Sequence, residues 1–186
     1  MLAVDGPVHG LRQVGPGGRE AFFEEIKRAD AVDDMVLDWQ SALASLAQDT
    51  GLGSGPLGYF GLSMGTLFGI PLLASLVRVT GAEMRVAVIG LCGTTGAGKN
   101  LAERLQQDAS DISIPLTFLM QMEDELFPRD GYLELFDALA SDDKRLHANP
   151  GLHPEVPAEE VDFAREFLRA RLTGTVERKI MNPLAE

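Results

Sequence analysis

Apolar and polar residues change their rhythm repeatedly along this chain, and each change marks an element. Leu57–Leu62, Val86–Leu91 and Ile114–Gln121 are short, mostly apolar runs, with Arg145–Ala148 a shorter fourth segment. Runs of this length bounded by turn residues read as strands. Val86–Leu91, rich in Val, Ala, Ile and Leu, reads as buried on both faces. Leu2–Asp5 is a further strand candidate, running into a turn at Gly6-Pro7. Elsewhere the apolar positions recur at helical spacing. Met35, Val36, Trp39, Leu43 and Leu46 form one such stripe, with Asp33 and Asp34 placed to cap its start and Thr50-Gly51 to stop it. Met64–Val77 reads as a helix that Gly69 and Pro71 should kink or shorten. Asn100–Ala109 and Arg129–Leu139 are helical, and Ala158–Leu172 closes the chain with Val161, Phe163, Ala164, Phe167 and Leu168 facing inward. Residues 10–20, rich in Gly and carrying Pro16, read as loop. Strand alternating with helix predicts an α/β fold, a mostly parallel sheet with helices on both faces.

Size and charge narrow the picture. At 186 residues the whole chain reads as a single domain, with 10–30 a loop or cap-like segment and 174–186 a frayed tail. The formal net charge is -12, which repels phosphate backbones and anionic lipid, so neither nucleic acid nor a membrane surface is an expected partner. Cys92 is the only cysteine, so an intrachain disulfide and a cysteine metal cluster are both impossible. That suits a cytoplasmic protein. Gly, Pro, Arg and Glu interrupt every apolar run before it could span a bilayer, and no secretory leader is expected after Met1. Three scattered histidines have no metal-ligand spacing, and no cofactor is expected.

Gly61-Leu62-Ser63-Met64-Gly65 carries the chemistry. It follows a strand and opens a helix, with glycine on both sides of the serine. A sharp strand-to-helix turn of this kind holds a hydroxyl out in front, and small flanking residues let the two elements approach. It also puts the Met64 backbone N–H beside Ser63 at a helix N-terminus, where an oxyanion can be stabilised. A nucleophilic serine needs a base, and the base needs an orienting acid. His9, His147 and His153 are the available imidazoles. His153 lies in a loop before the last helix, His147 inside a strand and His9 near the N-terminus. Glu123, Asp124 and Glu125 follow the strand ending at Gln121, where parallel α/β sheets place their sites.

These stretches resemble the α/β-hydrolase superfamily, and look most like its dienelactone-hydrolase and small-esterase branches. The resemblance rests on Asp5–Arg12, Gly61–Gly65, Gln121–Pro128 and Lys144–Pro157, and extends from Leu2 to about Leu172. It implies Ser63 as nucleophile, Asp124 as acid within Asp124-Glu125-Leu126-Phe127-Pro128, and His153 as base, with a carboxylic ester as substrate. It also implies three strands ahead of the segment where this sequence begins. The third would lie between the fourth and fifth in the sheet, and the loop after it would supply a second oxyanion donor. The expected fold is therefore an N-terminally truncated α/β-hydrolase whose sheet a second copy of the chain could complete.

Two other readings compete. A hydrolase-like protein without activity could use the incomplete sheet for association. Gly93–Asn100 nearly matches a phosphate-cradling loop, G-x-x-x-x-G-K-[ST], with Asn100 in place of the magnesium-binding hydroxyl. Nucleotide binding at Gly93–Lys99 is the weaker alternative, and a glycine-rich connection the plainer one. Gly53–Gly58 spells G-x-G-x-x-G but precedes a strand, and Pro56 removes an N–H that phosphates would need. Cys92 reads as a small core residue.

Overall fold

A computed structural model describes residues 1–50, 55–79 and 84–175. Its helices and strands are α1 (Gly18–Glu25), α2 (Ala31–Thr50), β1 (Leu57–Leu62), α3 (Met64–Val79), β2 (Met84–Gly90), α4 (Lys99–Ala109), β3 (Leu116–Gln121), α5 (Arg129–Ala138), β4 (Lys144–Asn149) and α6 (Ala158–Leu172). The four strands form one sheet in the order β1-β2-β3-β4, and every pair is parallel.

Alternation along the strands sorts side chains between two faces. Ala87 and Ile89 of β2 face a core built with α2, α3, α4 and α5, whereas Val86 and Val88 face Ala164 and Phe167 of α6. Helices therefore cover both faces, as the strand–helix rhythm predicts. β3 is buried at all six positions, which explains why it reads as a continuous apolar run.

Several expectations are corrected. Leu2–Asp5 forms no strand. No neighbouring strand offers it a ladder among the described residues, and the Asp5 carboxylate instead accepts the Leu11 N–H at 2.9 Å, drawing the next residues into a 3-10 turn at Gly10–Arg12. Residues 10–20 are not all loop: α1 starts at Gly18, after Gly15 and Gly17 make the positive-φ turns that lead into it. Asp33 and Asp34 do not cap α2. The helix starts two residues earlier, and both carboxylates sit in its first turn, still favourable against the helix dipole. The stop expected at Thr50-Gly51 falls at the limit of the described residues, and the tail beyond Thr175 lies outside them. α3 is not shortened at Pro71 but runs on to Val79. Thr66–Ala74 are all buried, and that burial offsets the lost hydrogen bond. Val161 is 52% exposed, because a helix end can keep the period without a core beneath it.

Candidate active site

Ser63 immediately follows β1 and precedes α3. Its φ is 55°, in the left-handed region that a β-carbon disfavours by about 1–2 kcal/mol. Neighbouring bonds hold it there. The Ser63 N–H donates to Gly90 O at 2.9 Å, at the end of β2. Thr66 Oγ1 lies 2.8 Å from Gly61 O and 2.6 Å from Gly90 O, and accepts the Gly90 N–H at 2.7 Å. A β-carbon on Gly61 would sit 2.8 Å from Gly65 O, so small size is required there. Gly65 is different: the nearest atom to a β-carbon would be the Tyr59 hydroxyl at 4.0 Å. The flanking glycine is thus a steric necessity on the strand side of the serine only.

His153 Nε2 lies 2.8 Å from Ser63 Oγ, and His153 Nδ1 lies 2.7 Å from Asp124 Oδ2. The structure brings Ser63, His153 and Asp124 together at the carboxyl ends of β1 and β3. Asp124 is almost fully buried, its side chain 1% exposed. The turn after β3 builds its position: Asp124 Oδ1 accepts the N–H groups of Leu126 at 2.7 Å and Phe127 at 3.0 Å. The Tyr132 hydroxyl on α5 donates to Oδ2. Burial pushes the Asp124 carboxyl upward, but the donors Tyr132, His153, Leu126 and Phe127 outweigh it and hold the group below the usual carboxylate range.

The other two acids of the triplet hold the histidine loop. Glu123 Oε2 accepts the Gly151 N–H at 2.5 Å, and Glu125 Oε2 accepts the His153 N–H at 2.9 Å. Gln121, at the end of β3, donates to Glu155 O at 2.6 Å. All three acidic side chains therefore engage the histidine loop, Asp124 through the imidazole and the others through its backbone. The sequence marks the triplet but not this division of labour. Tyr132 is missed as well; only its place in the first turn of the helix after the acid loop hints at it.

The remaining candidates fall elsewhere. His147 Nδ1 lies 2.7 Å from Glu160 Oε2, and its ring packs tilted at 50° against Phe163 with centroids 4.5 Å apart, a packing role. His9 lines the cavity beside Ser63, with Nδ1 2.7 Å from Pro7 O. Cys92 is fully buried; burial, and then the nearby Asp124 charge, push its thiol up to about 12. The Gly93–Lys99 loop packs against the acid loop and α5. A β-carbon on Gly93 would meet Gly131 at 2.8 Å, and one on Gly96 would meet Leu126 O at 2.9 Å. The Thr94 N–H is already bonded to Gly131 O at 3.1 Å. Gly93 and Gly96 thus serve close packing, which argues against a phosphate cradle, whereas Gly98 stands in open space with a φ of 81° at the start of α4. Among the described residues no cluster of three or more His, Cys, Asp or Glu side chains could hold a metal ion, and no helix is long and apolar enough to cross a membrane.

A cavity of about 800 Å³ opens on Ser63 and His153. Its walls are largely apolar, with Phe22 and Ile26 from the α1 region, Leu67 from α3, Leu101 from α4 and Phe127 from the acid loop. Met64 also lines it, so the first turn of α3 meets the space above the serine.

No protein-family model and no curated protein matches the chain. Solved structures do. A cold-adapted esterase from an Arctic intertidal metagenomic library, in its polyethylene-glycol-bound form, is 34% identical with a TM-score of 0.76, over 90% of this chain and 68% of its own. Its zinc-bound structure is 35% identical with a TM-score of 0.73, over 85% of this chain and 69% of its own. The chain belongs to the α/β-hydrolase superfamily. More distant members of that superfamily share the fold: a Pyrococcus furiosus esterase at 18% identity and TM-score 0.60, covering 85% of this chain and 67% of its own. A Paleococcus ferrophilus monoacylglycerol lipase follows at 16% and 0.56, covering 76% and 75%. This α/β-hydrolase chain spans about two thirds of the length of the Arctic esterase.

Proposed function

We propose that this chain hydrolyses carboxylic esters through an acyl-enzyme on Ser63. The observation that carries the reading is the continuous contact from Ser63 Oγ through His153 to Asp124, at the floor of an apolar cavity. Similarity to an esterase supports the substrate class.

In this mechanism His153 Nε2 takes the Ser63 proton as Oγ attacks the ester carbonyl. Asp124 orients the imidazole and stabilises its charged form. The carbonyl oxygen becomes an oxyanion that the Met64 N–H binds at the start of α3. His153 then gives its proton to the leaving alcohol. Water enters, is deprotonated by His153, and releases the acid. Met64 supplies one oxyanion donor in this scheme, and a donor of this kind is typically worth about 10²–10³ in rate.

Incubation with a fluorophosphonate probe and a short-chain p-nitrophenyl ester tests this. Labelling and turnover are expected in the native protein and absent in Ser63→Ala. Folded native protein that neither labels nor turns over would exclude the mechanism.

A further inference from the structure

The cavity over Ser63 has a charge that the rest of the chain lacks. Acidic residues outnumber basic ones 28 to 16 in the sequence. Among the cavity-lining residues there are three basic side chains, Arg19, Lys27 and Lys99, and no carboxylate. Arg19 and Lys27 come from α1 and the turn after it, and Lys99 opens α4 on the other wall. Cations thus sit on two sides of one apolar space.

Their existing partners leave them available. Lys27 pairs with Glu24 at 2.5 Å, with both side chains well exposed. Lys99 approaches Glu103 at 3.8 Å, and Lys99 is 84% exposed. Exposed pairs of this kind contribute little and exchange readily for a better anion. Neither Glu24 nor Glu103 lines the cavity. The first turn of α4, which does line it, has no acidic residue to neutralise its N–H groups. A concave site with walls of one sign concentrates ions of the other.

We propose that this site selects esters carrying an anionic group at the far end of an apolar chain, such as the monoesters of medium-chain dicarboxylic acids. The inference rests on the ester-hydrolase reading above. The apolar wall takes the methylene chain, and the cations take the distal carboxylate. Arg19 can bind it with two parallel N–H bonds. The chemistry at the near end is unchanged: the bond from the carbonyl carbon to the alcohol oxygen breaks, one to Ser63 Oγ forms, and water then replaces the serine. The distal carboxylate neither gains nor loses a bond.

The test compares p-nitrophenyl hydrogen suberate with p-nitrophenyl octanoate, both kept below aggregating concentrations. The readout is the ratio of their kcat/KM values in the native protein and in the triple variant Arg19→Gln, Lys27→Gln, Lys99→Gln. The native protein is expected to favour the suberate by about tenfold at low salt, and less as salt rises. In the triple variant the ratio is expected to fall to one or below. A native ratio near one, or one that the triple variant keeps, overturns the inference, as does failure of both esters while Ser63 still labels with a fluorophosphonate. Loss of both turnover and labelling in folded native protein removes the hydrolase reading itself and this inference with it.

Discussion

Asp124 shows how a buried carboxylate can stay charged. Four donors converge on its two oxygens: Tyr132 and His153 on one, the Leu126 and Phe127 N–H groups on the other. A carboxyl held below its ordinary range contributes stability that is present above that range and is lost as pH falls through the lowered value. Tyr132→Phe removes one donor and leaves the ring packed against Phe118 and Phe127. The carboxyl then moves back up, so its contribution is lost at a higher pH. Urea unfolding at neutral pH is expected to show a loss of about 1.5–3 kcal/mol, the usual worth of a hydrogen bond to a charged group. The acid-unfolding midpoint is expected to move toward neutral pH. An unmoved midpoint would mean that Tyr132 only fills space. Tyr132 acts through Asp124, so it is a positioning residue in this scheme.

At the scale of elements, the site is made where strands stop. β1 and β2 end side by side, and Gly90 joins them by accepting the Ser63 N–H. Gly90 has a φ of 144°, and a β-carbon there would run into the Leu119 backbone. Gly90→Ala is expected to cost more than about 2 kcal/mol in thermal unfolding and to slow fluorophosphonate labelling of Ser63 at temperatures where the variant stays folded. Much of this was legible beforehand. Parallel strands buried on both faces announce themselves as apolar runs, and the serine between two glycines stands at the junction of a strand and a helix. The acid loop carries its own turn chemistry in Asp124-Glu125-Leu126-Phe127-Pro128. What was illegible depends on distant contacts. α1 has no fully buried residue and lies among glycines, so no periodicity separates it from loop. Leu2–Asp5 has the composition of a strand, yet a strand needs a neighbour, and composition does not supply one. The clamp of Glu123 and Glu125 on the histidine loop joins residues 28 apart in the chain.

For the whole molecule, the two edges of the sheet differ. β4 carries Lys144 and Arg145, charges that discourage another strand from pairing. β1 reads Leu-Gly-Tyr-Phe-Gly-Leu with no charge, Phe60 is 50% exposed, and among the described residues no strand pairs with its outer side. Concentration-dependent association is expected in sedimentation velocity, and Phe60→Lys is expected to shift the population toward monomer; an unchanged distribution would place any association elsewhere. Cys92 lies at the other extreme of access. It is sealed at the end of β2, with its thiol pushed up to about 12. The thiolate that alkylating reagents need is scarce while the fold is closed and forms readily once the chain opens. The chain's single cysteine is therefore a built-in clock. The rate at which iodoacetamide consumes it in native buffer, divided by the rate in denaturant, reads the fraction of molecules open at any instant around Asp124, without any engineered label.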